Sequence, residues 1–425
     1  MKKVLVITYY WPPAGGSGVQ RWLKFVKYFR DFDIEPIVYT VRDPKYPITD
    51  ISLVKDIPLA MEVLSQPIWE PNNMLSIFGK KKRESAGFLD PHPSLFGKLI
   101  RYIRANYFIP DARKFWINPS VSYLTKYLKN HKVDVIITTG PPHSVHVIGL
   151  KLKKLLGVRW IADFRDPWTT IDYFHQLPLS KKAIKKHHRL EEEVLTAADA
   201  VLVVGNTMHE NYSKFNSNVL TVTNGFDGEI VNSQMALDSK FTLTHIGLMN
   251  AARNPKMLWE VLAELVLDNQ DFSNDFKLKL IGKVAIEVLE EISKNELLEH
   301  VQFINYIAHN EVIEYQKTSQ VLLLIANDVP SSKGIITGKL FEYLMVKRPI
   351  LAIAPGDGDL FKILKDTNAG IVVEFGDKDS LKKTILEMYS KFKKDKLIVD
   401  SKNIDQFHRR ELTKKVSEII KSLVD

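Results

Sequence analysis

Apolar positions along the chain follow two spacings, and both recur in each half. Short apolar runs, such as residues 3–8 and 321–326, predict buried strands. Between such runs apolar residues return every three or four positions, as in residues 19–29, which predicts helices that pack on a sheet. Because strands and helices alternate, we expect an α/β fold with two doubly wound parallel sheets.

The alternation starts afresh after a polar stretch that ends at Lys240. We therefore expect an N-terminal domain at 1–225 and a C-terminal domain at 226–404. One stripe of the last helix carries Leu412, Val416, Ile419, Ile420 and Leu423. The second domain offers no further strand for this stripe to cover, so residues 405–425 are expected to return to the first domain.

Residues 43–115 break the alternation. Prolines are frequent there, residues 79–83 form a basic run, and aromatic side chains further on are interleaved with Arg101 and Arg104. This composition fits a solvated insertion over the core, and it also fits a segment that docks on a bilayer interface.

Composition and charge narrow the function. With 45% hydrophobic and 26% charged residues, the 425-residue chain has a soluble globular composition, and its lack of cysteine excludes disulfides and thiolate sites. No apolar run approaches the roughly 20 residues of a membrane span, and the basic start leads into a predicted strand, so we expect a cytoplasmic protein. Residues 1–225 carry 32 Lys and Arg against 20 Asp and Glu, whereas residues 226–425 carry 27 against 30. The basic first half favours an anionic partner, such as a lipid surface, a lipid pyrophosphate or nucleic acid.

Residues 333–355 combine the end of a polar loop, a helix and a buried strand. Backbone N–H groups and the helix dipole favour phosphate at such a loop, and Glu342 in the helix can accept from sugar hydroxyls. The pattern predicts a site for a phosphorylated, hydroxyl-rich ligand. An ordinary strand–helix unit with a Lys339–Glu342 surface pair fits it as well.

Further polar residues follow other predicted strands, where open parallel sheets bind ligands. Gly15 and Gly16 fit either a close approach to a ligand or a simple turn. His143 suits a hydroxyl or phosphate contact, or a helix cap.

Asp163 and Asp166 flank Arg165, so they suit a base or a sugar-hydroxyl ligand, or a structural network with that arginine. Arg253 and Lys256 at a helix N-terminus suit a pyrophosphate. The chain lacks GxxxxGK[ST] and HExxH motifs, and we expect no required metal.

Five segments in this order resemble a GT-B glycosyltransferase of the retaining family 4, or group 1, type. They read YYWPPAGGSGVQRW, ADFRDPW, TNGFD, HIGLMNAARNP and GKLFEYLMVKRPILA. The resemblance implies two Rossmann-like domains facing a cleft, with the final helix crossing back to the first domain. It also implies that the second domain holds a nucleotide-sugar donor and the first domain holds the acceptor.

By position, the resemblance makes Glu342 the contact to the nucleotide ribose. It makes Arg253, with Lys256 or Lys339, the clamp on the diphosphate. Gly16 matches the loop that faces the donor phosphates. His143 lies near a sugar-contacting histidine.

One position departs from the family. A second motif glutamate would fall at 334, where this chain has Gly334. A donor contact is therefore missing, or backbone N–H groups of the loop replace it. The loop residues are Gly334, Ile335, Ile336 and Thr337.

We therefore predict a retaining, metal-independent glycosyltransferase of surface polysaccharide assembly. It would move a sugar from a UDP- or GDP-sugar to a glycan or lipid-linked acceptor at the inner face of the membrane, with no added cofactor and no nucleic-acid partner. Cationic side chains would stabilise the leaving diphosphate, and domain closure would exclude water. A nucleotide-sugar 2-epimerase and a catalytically degenerate glycan-binding or scaffold protein are the alternatives.

Overall fold

The computed structural model describes every residue except 45, 47, 70–94, 232–235, 306 and 308. The basic run at 79–83 thus lies outside the described residues. The chain forms two compact units. Unit 1 comprises Met1–Asp227 and Arg409–Asp425, and unit 2 comprises Gly228–His408.

Unit 1 contains one parallel sheet of seven strands. The strands are β1 Lys2–Ile7, β2 Ile34–Arg42, β3 Glu62–Pro67, β4 Val135–Gly140, β5 Arg159–Phe164, β6 Ala200–Val203 and β7 Val219–Thr221. Their order is β3-β2-β1-β4-β5-β6-β7. The order reverses between β1 and β4, and the loops that follow these strands open at the edge where such sheets bind ligands.

Helices cover both faces of this sheet. They are α1 Ser17–Tyr28, α2 Leu95–Tyr107, α3 Lys114–Asn130, α4 Ser144–Leu156, α5 Lys181–Ala197 and α6 Asn206–Tyr212. Alternate residues of β1 enter opposite cores, because successive strand side chains point to opposite faces. Leu5 and Ile7 join one buried cluster, whereas Val4 and Val6 join the other.

Unit 2 repeats the same topology with six parallel strands. They are β8 Phe241–Ile246, β9 Phe276–Ile281, β10 Val301–Ile304, β11 Val321–Ile325, β12 Ile350–Ile353 and β13 Gly370–Val373, in the order β10-β9-β8-β11-β12-β13. The helices are α7 Lys256–Asp268, α8 Gln270–Asp275, α9 Ile286–Lys294, α10 His309–Thr318, α11 Gly338–Val346, α12 Asp359–Thr367 and α13 Lys378–Phe392. The order reverses between β8 and β11, which marks the corresponding edge of unit 2.

The last helix, α14 Arg409–Val424, belongs to unit 1. Its buried Leu412, Val416 and Ile420 share a cluster with Trp22 and Phe25 of α1. The α/β fold class and the return of the last helix are therefore as predicted. No helix in the described part of the chain is long and apolar enough to span a bilayer.

Two of the chain ends of unit 1, at Asp227 and Arg409, are held close together, and α1 holds the first of them. The backbone N–H of Arg409 donates to the carbonyl of Phe226 at 2.8 Å. The Asp227 carboxylate accepts from Lys24 at 2.6 Å and from the Tyr28 hydroxyl at 2.5 Å. Burial opposes ionisation of Asp227, but these donors hold its pKa well below the usual range.

Regular structure extends into the region that the sequence pattern left irregular. Strand β3 lies at the sheet edge and exposes Glu62 and Val63, so it lacks the buried apolar run by which a strand is recognised. The pattern also missed α3, whose interior holds Pro119, a residue that disfavours helix interiors.

Truncating Ile420 tests whether α14 stabilises unit 1. Ile420→Ala removes a fully buried side chain, and we expect a loss of about 3 kcal/mol in the free energy of unfolding. Every tryptophan except Trp259 lies in unit 1, so urea unfolding followed by tryptophan fluorescence reports this unit. Glu418→Ala, at an exposed position of the same helix, should change stability by less than about 0.5 kcal/mol. Equal effects of the two variants would contradict the packing role.

Candidate functional site

Two groups of polar residues lie at the carboxyl edges of the two sheets, one group in each unit. In unit 2 the group surrounds the loop after β8. Gly247 adopts φ +107°, a left-handed conformation that favours glycine, and a Cβ atom there would lie 2.7 Å from the Lys339 Nζ atom. Glycine at 247 therefore lets the Lys339 side chain lie across the end of β8.

The Lys339 amine lies in a desolvated, cationic environment. Burial lowers its pKa to about 7, and Arg253 lowers the pKa further, whereas Glu342 raises it. Its Nζ atom lies 3.4 Å from Nε2 of His245. Burial and Lys339 hold the pKa of His245 well below its usual range, so this imidazole is neutral and can accept at Nε2.

Arg253 is oriented by two acceptors at the same edge. Its Nε donates to the Asn327 amide oxygen at 2.7 Å, and one terminal nitrogen donates to the Leu248 carbonyl at 3.2 Å. The structure thus brings Arg253 and Glu342 close enough to Lys339 for both to act on its charge. Lys256 has a different neighbour, since its exposed Nζ lies 3.8 Å from Glu291.

Helix α11 begins beside this cluster. Thr337 caps the helix, with its hydroxyl oxygen accepting from the Lys339 backbone N–H at 3.1 Å. A Cβ atom at Gly338 would meet no atom within 4 Å, so there is open space beside the first residue of the helix. On the helix, Glu342 accepts from the Gln316 amide at 3.3 Å. Cations beside a helix N-terminus form an arrangement that suits a phosphate group.

The loop before α11 has fewer available amides than the sequence hypothesis assumed. Residues Ser332–Gly334 form a 3₁₀ turn. The Gly334 N–H donates to Ser331, and the Ile335 N–H donates to Ser332. These two amides are used inside the loop, so a ligand would contact the amides of Ile336, Thr337 and Gly338.

In unit 1, Arg165 links the first turn of α1 to the loops that follow β4 and β5. Its guanidinium donates to the carbonyl of Gly18, and to that of Pro141 at 2.8 Å. The Arg165 backbone N–H also donates to Gly140 at 3.0 Å. A Cβ atom at Gly18 would lie 2.7 Å from the guanidinium, so this glycine makes room for Arg165. Sequence reasoning singled out Gly15 and Gly16 but missed the role of Gly18.

Gly15 and Gly16 have different local roles. The Gly15 N–H donates to Ile48 at 3.0 Å, and a Cβ atom at Gly15 would lie 2.9 Å from the Ile48 side chain. Gly16 caps α1 with φ +90°, and nothing lies within 4 Å of where its Cβ would be. Open space at a helix N-terminus makes Gly16 the better placed of the two to meet a ligand.

Asp163 is fully buried, and several donors hold it in place. Arg21 donates to it at 2.8 Å, the Trp22 indole at 2.7 Å and the Thr139 hydroxyl at 2.8 Å. Burial opposes ionisation, but Arg21 holds the pKa of Asp163 below its usual value. The network that involves Asp163 is therefore formed with Arg21, and not with Arg165 as the sequence had suggested.

Asp166, three residues further on, remains accessible to solvent. No described residue donates a hydrogen bond to its carboxyl group. Desolvation by the surrounding protein raises the pKa of Asp166. The positive charge of Arg165 opposes this rise, and the negative charge of Asp172 adds to it. An accessible carboxyl group with a raised pKa is suited to exchange a proton or to bind a sugar hydroxyl.

His143 lies at the N-terminus of α4 and stacks on Trp168, with 4.6 Å between ring centroids and 2° between planes. Its Nδ1 atom is buried and has no hydrogen-bond partner in the described structure. Burial lowers the pKa of His143 well below its usual value, so the ring is neutral at pH 7. The Trp168 indole in turn donates to Nδ1 of His187 at 3.0 Å, a partner that the sequence pattern did not reveal.

Comparisons with solved structures place the fold in the GT-B class. HepE from Anabaena, solved with UDP and glucose, is 15% identical with a TM-score of 0.63 over 99% of this chain and 100% of that one. WaaG, a glycosyltransferase involved in lipopolysaccharide biosynthesis, is 13% identical with a TM-score of 0.55 over 98% of this chain and 99% of that one. A putative UDP-N-acetylglucosamine 2-epimerase from Listeria monocytogenes is 11% identical with a TM-score of 0.56 over 99% of this chain and 96% of that one. At these identities the likeness establishes the fold.

Residues 240–391, within unit 2, match the family model Glycosyl transferases group 1. The resemblance to a group 1 glycosyltransferase that the motifs predicted is confirmed over this segment. The narrower assignment to family 4 stays a prediction. No curated protein matches the chain by sequence.

Substitutions at Asp163 and Asp166 should show which carboxylate stabilises the fold and which is available to a ligand. Asp163→Asn leaves the buried Arg21 guanidinium without a counter-charge, and we expect a loss of about 3 kcal/mol or more in stability. Asp166→Asn removes a charge that its surroundings disfavour, so stability should change by less than about 0.5 kcal/mol. Urea unfolding followed by tryptophan fluorescence measures both values. A destabilising Asp166→Asn beside a neutral Asp163→Asn would reverse the assignment.

Proposed function

We propose that this protein is a glycosyltransferase that moves a sugar from a UDP- or GDP-sugar, with retention, to a glycan or lipid-linked acceptor in surface polysaccharide assembly. The observation that carries the proposal is the cluster of Arg253, Lys339 and Glu342 at the N-terminus of α11, inside the segment that matches the group 1 family. HepE, with the same fold, was solved with UDP and glucose.

The donor is proposed to bind at the unit 2 cluster. Arg253 and Lys339 would contact the diphosphate and stabilise the charge that develops as the nucleoside diphosphate leaves. The amides of Ile336–Gly338 would add neutral donors, and Glu342 would accept from the ribose hydroxyls. Lys256, whose Nζ lies near Glu291, would contribute only long-range attraction. No metal is assigned a role in this scheme.

The acceptor is proposed to bind at the unit 1 edge. There, Asp166 would accept a hydrogen bond from a sugar hydroxyl, and neutral His143 would position a hydroxyl or the donor sugar. Gly16 would allow the ligand to approach the N-terminus of α1. Asp163 would act through Arg21 and the loop backbone rather than by touching substrate.

Product analysis separates this proposal from its alternatives. The protein is incubated with UDP-glucose, UDP-N-acetylglucosamine or GDP-mannose, with and without a mixture of alkyl glycosides and lipid-linked sugars. Acceptor-dependent release of nucleoside diphosphate, with the donor's anomeric configuration kept in the product, supports retaining transfer. Conversion of one nucleotide sugar into its 2-epimer would instead establish the epimerase, and binding without turnover would establish the degenerate member.

Nucleotide binding tests Glu342 directly. Glu342→Ala removes hydrogen bonds between a carboxylate and the ribose, and we expect the Kd for UDP or GDP to rise about tenfold to a hundredfold by isothermal titration calorimetry. Glu314→Ala removes an exposed carboxylate on α10 that pairs with Lys317, and should leave the Kd unchanged. Unaltered affinity of Glu342→Ala would remove the central assignment.

The pKa of Lys339 predicts proton uptake on binding. Near pH 8 the amine is mostly neutral in the free protein, because its pKa is about 7, whereas a bound diphosphate favours the charged form. Uptake should rise from near zero at about pH 6 towards one proton at about pH 8, and affinity should fall as pH rises above about 7. Calorimetry in buffers of different ionisation enthalpy measures this uptake. Lys339→Met should abolish the uptake attributed to the lysine, and Lys317→Met should not; equal uptake in both would contradict the assignment.

A further inference from the structure

One face of helix α2 presents a row of apolar side chains to solvent. The row comprises Phe96, Leu99, Ile103 and Tyr107, which are 68%, 53%, 42% and 65% exposed. Their spacing of three or four residues places them on one side of the helix. An exposed apolar surface of this kind on a soluble domain marks a docking site.

Cations border this row on both sides. Successive helical residues are separated by about 100°, so Arg104 lies about 60° beyond Tyr107 on one flank. On the other flank the exposed Tyr102 extends the apolar row, and Lys98 lies about 40° beyond it. Both cationic side chains are exposed, and neither is ion-paired with a described residue. The helix contains no acidic residue. Its outer surface is therefore apolar at the centre and positive at the rim.

A second basic helix adjoins α2 at its C-terminal end. The Asn106 side chain of α2 donates to the Pro178 carbonyl at 2.8 Å and accepts from the Ser180 N–H at 2.7 Å. Ser180 is the N-cap of α5. The first turns of α5 carry Lys181, Lys182, Lys185 and Lys186, all of them exposed. No acid occurs in α5 before residue 191, so positive charge continues from one helix to the next.

We propose that the apolar row of α2, its flanking cations and the lysines of α5 form one surface that docks on an anionic lipid bilayer. Apolar side chains would enter the boundary between headgroups and acyl chains, while the lysines would contact anionic headgroups. A second copy of this surface is a poorer occupant, because it would bring the same positive rims together. The biological role rests on the proposed transfer to a lipid-linked acceptor, although docking itself needs neither donor nor acceptor.

Vesicle co-sedimentation of the full chain tests this surface. Two vesicle types are compared, one of phosphatidylcholine alone and one with about a third phosphatidylglycerol, without nucleotide sugar. We expect binding to the anionic vesicles to be at least tenfold stronger and to weaken as salt is raised. Equal binding to both types, or to neither, would overturn the proposal while leaving the glycosyltransferase assignment untouched.

Matched variants locate the contact. Leu99→Ser/Ile103→Ser should lower partitioning onto anionic vesicles about tenfold or more, and Lys181→Gln/Lys185→Gln should lower it by about fivefold per charge. The controls Leu155→Ser/Leu267→Ser and Lys394→Gln/Lys396→Gln change exposed residues elsewhere and should bind as the parent does. Urea unfolding confirms that each variant is folded.

Two results would place the surface elsewhere or assign it another occupant. Equal losses of vesicle binding in the test and control variants would show that the binding depends on the overall charge and apolar surface of the protein and not on this surface. Concentration-dependent self-association that Leu99→Ser/Ile103→Ser abolishes, with vesicle binding intact, would assign the face to a second copy of the chain. Donor binding at the unit 2 cluster, measured separately, reports the proposed function independently.

Discussion

Both sheets are parallel and are covered on both faces, and this constraint decides where polar chemistry can lie. Strand β1 sends alternate residues into two separate cores, so neither face of the sheet has room for a charged group without a partner. The available positions are the loops at the carboxyl ends of the strands. The same constraint requires a cover for α1, which α14 supplies with Leu412, Val416 and Ile420.

The loop after β5 shows how one constraint produces two kinds of carboxylate. Asp163 still belongs to the strand, where burial is complete, and it is tolerated there because Arg21, Trp22 and Thr139 satisfy its oxygens. Asp166 lies beyond the strand end and reaches solvent, so its carboxyl group keeps a raised pKa without a donor. Three residues of chain thus separate a carboxylate that stabilises the fold from one that can meet a substrate.

Sequence reasoning succeeded where a local pattern determines structure. The alternation of apolar runs and amphipathic stretches predicted the two sheets, and the stripe on the last helix predicted its return to unit 1. Edge strand β3 was missed because its side chains are half exposed, and α3 was missed because Pro119 interrupts its pattern.

The candidate site was harder to predict, because its contacts join residues far apart in the chain. Arg21 and Asp163, which are 142 positions apart, form a buried pair that no local spacing reveals. Lys339 was singled out from a helix motif, but its neutral partner His245 and the glycine that admits its side chain come from β8 and the following loop. Only the fold brings these three together.

The charge balance around Lys339 argues for an anionic ligand more strongly than any single residue does. The Lys339 amine is desolvated and lies near Arg253, and both lower its pKa, whereas Glu342 favours the charged lysine. A glutamate at 334 would have added a second negative group, but the chain has Gly334, and the amides of Gly334 and Ile335 are bonded within their own turn. Glu342 thus does not offset the desolvation of the Lys339 amine, whose pKa stays lowered. A diphosphate between Arg253, Lys339 and the N-terminus of α11 would add negative charge beside this amine. Under the proposed function, the missing glutamate would then bear on how the sugar is recognised rather than on binding of the nucleotide.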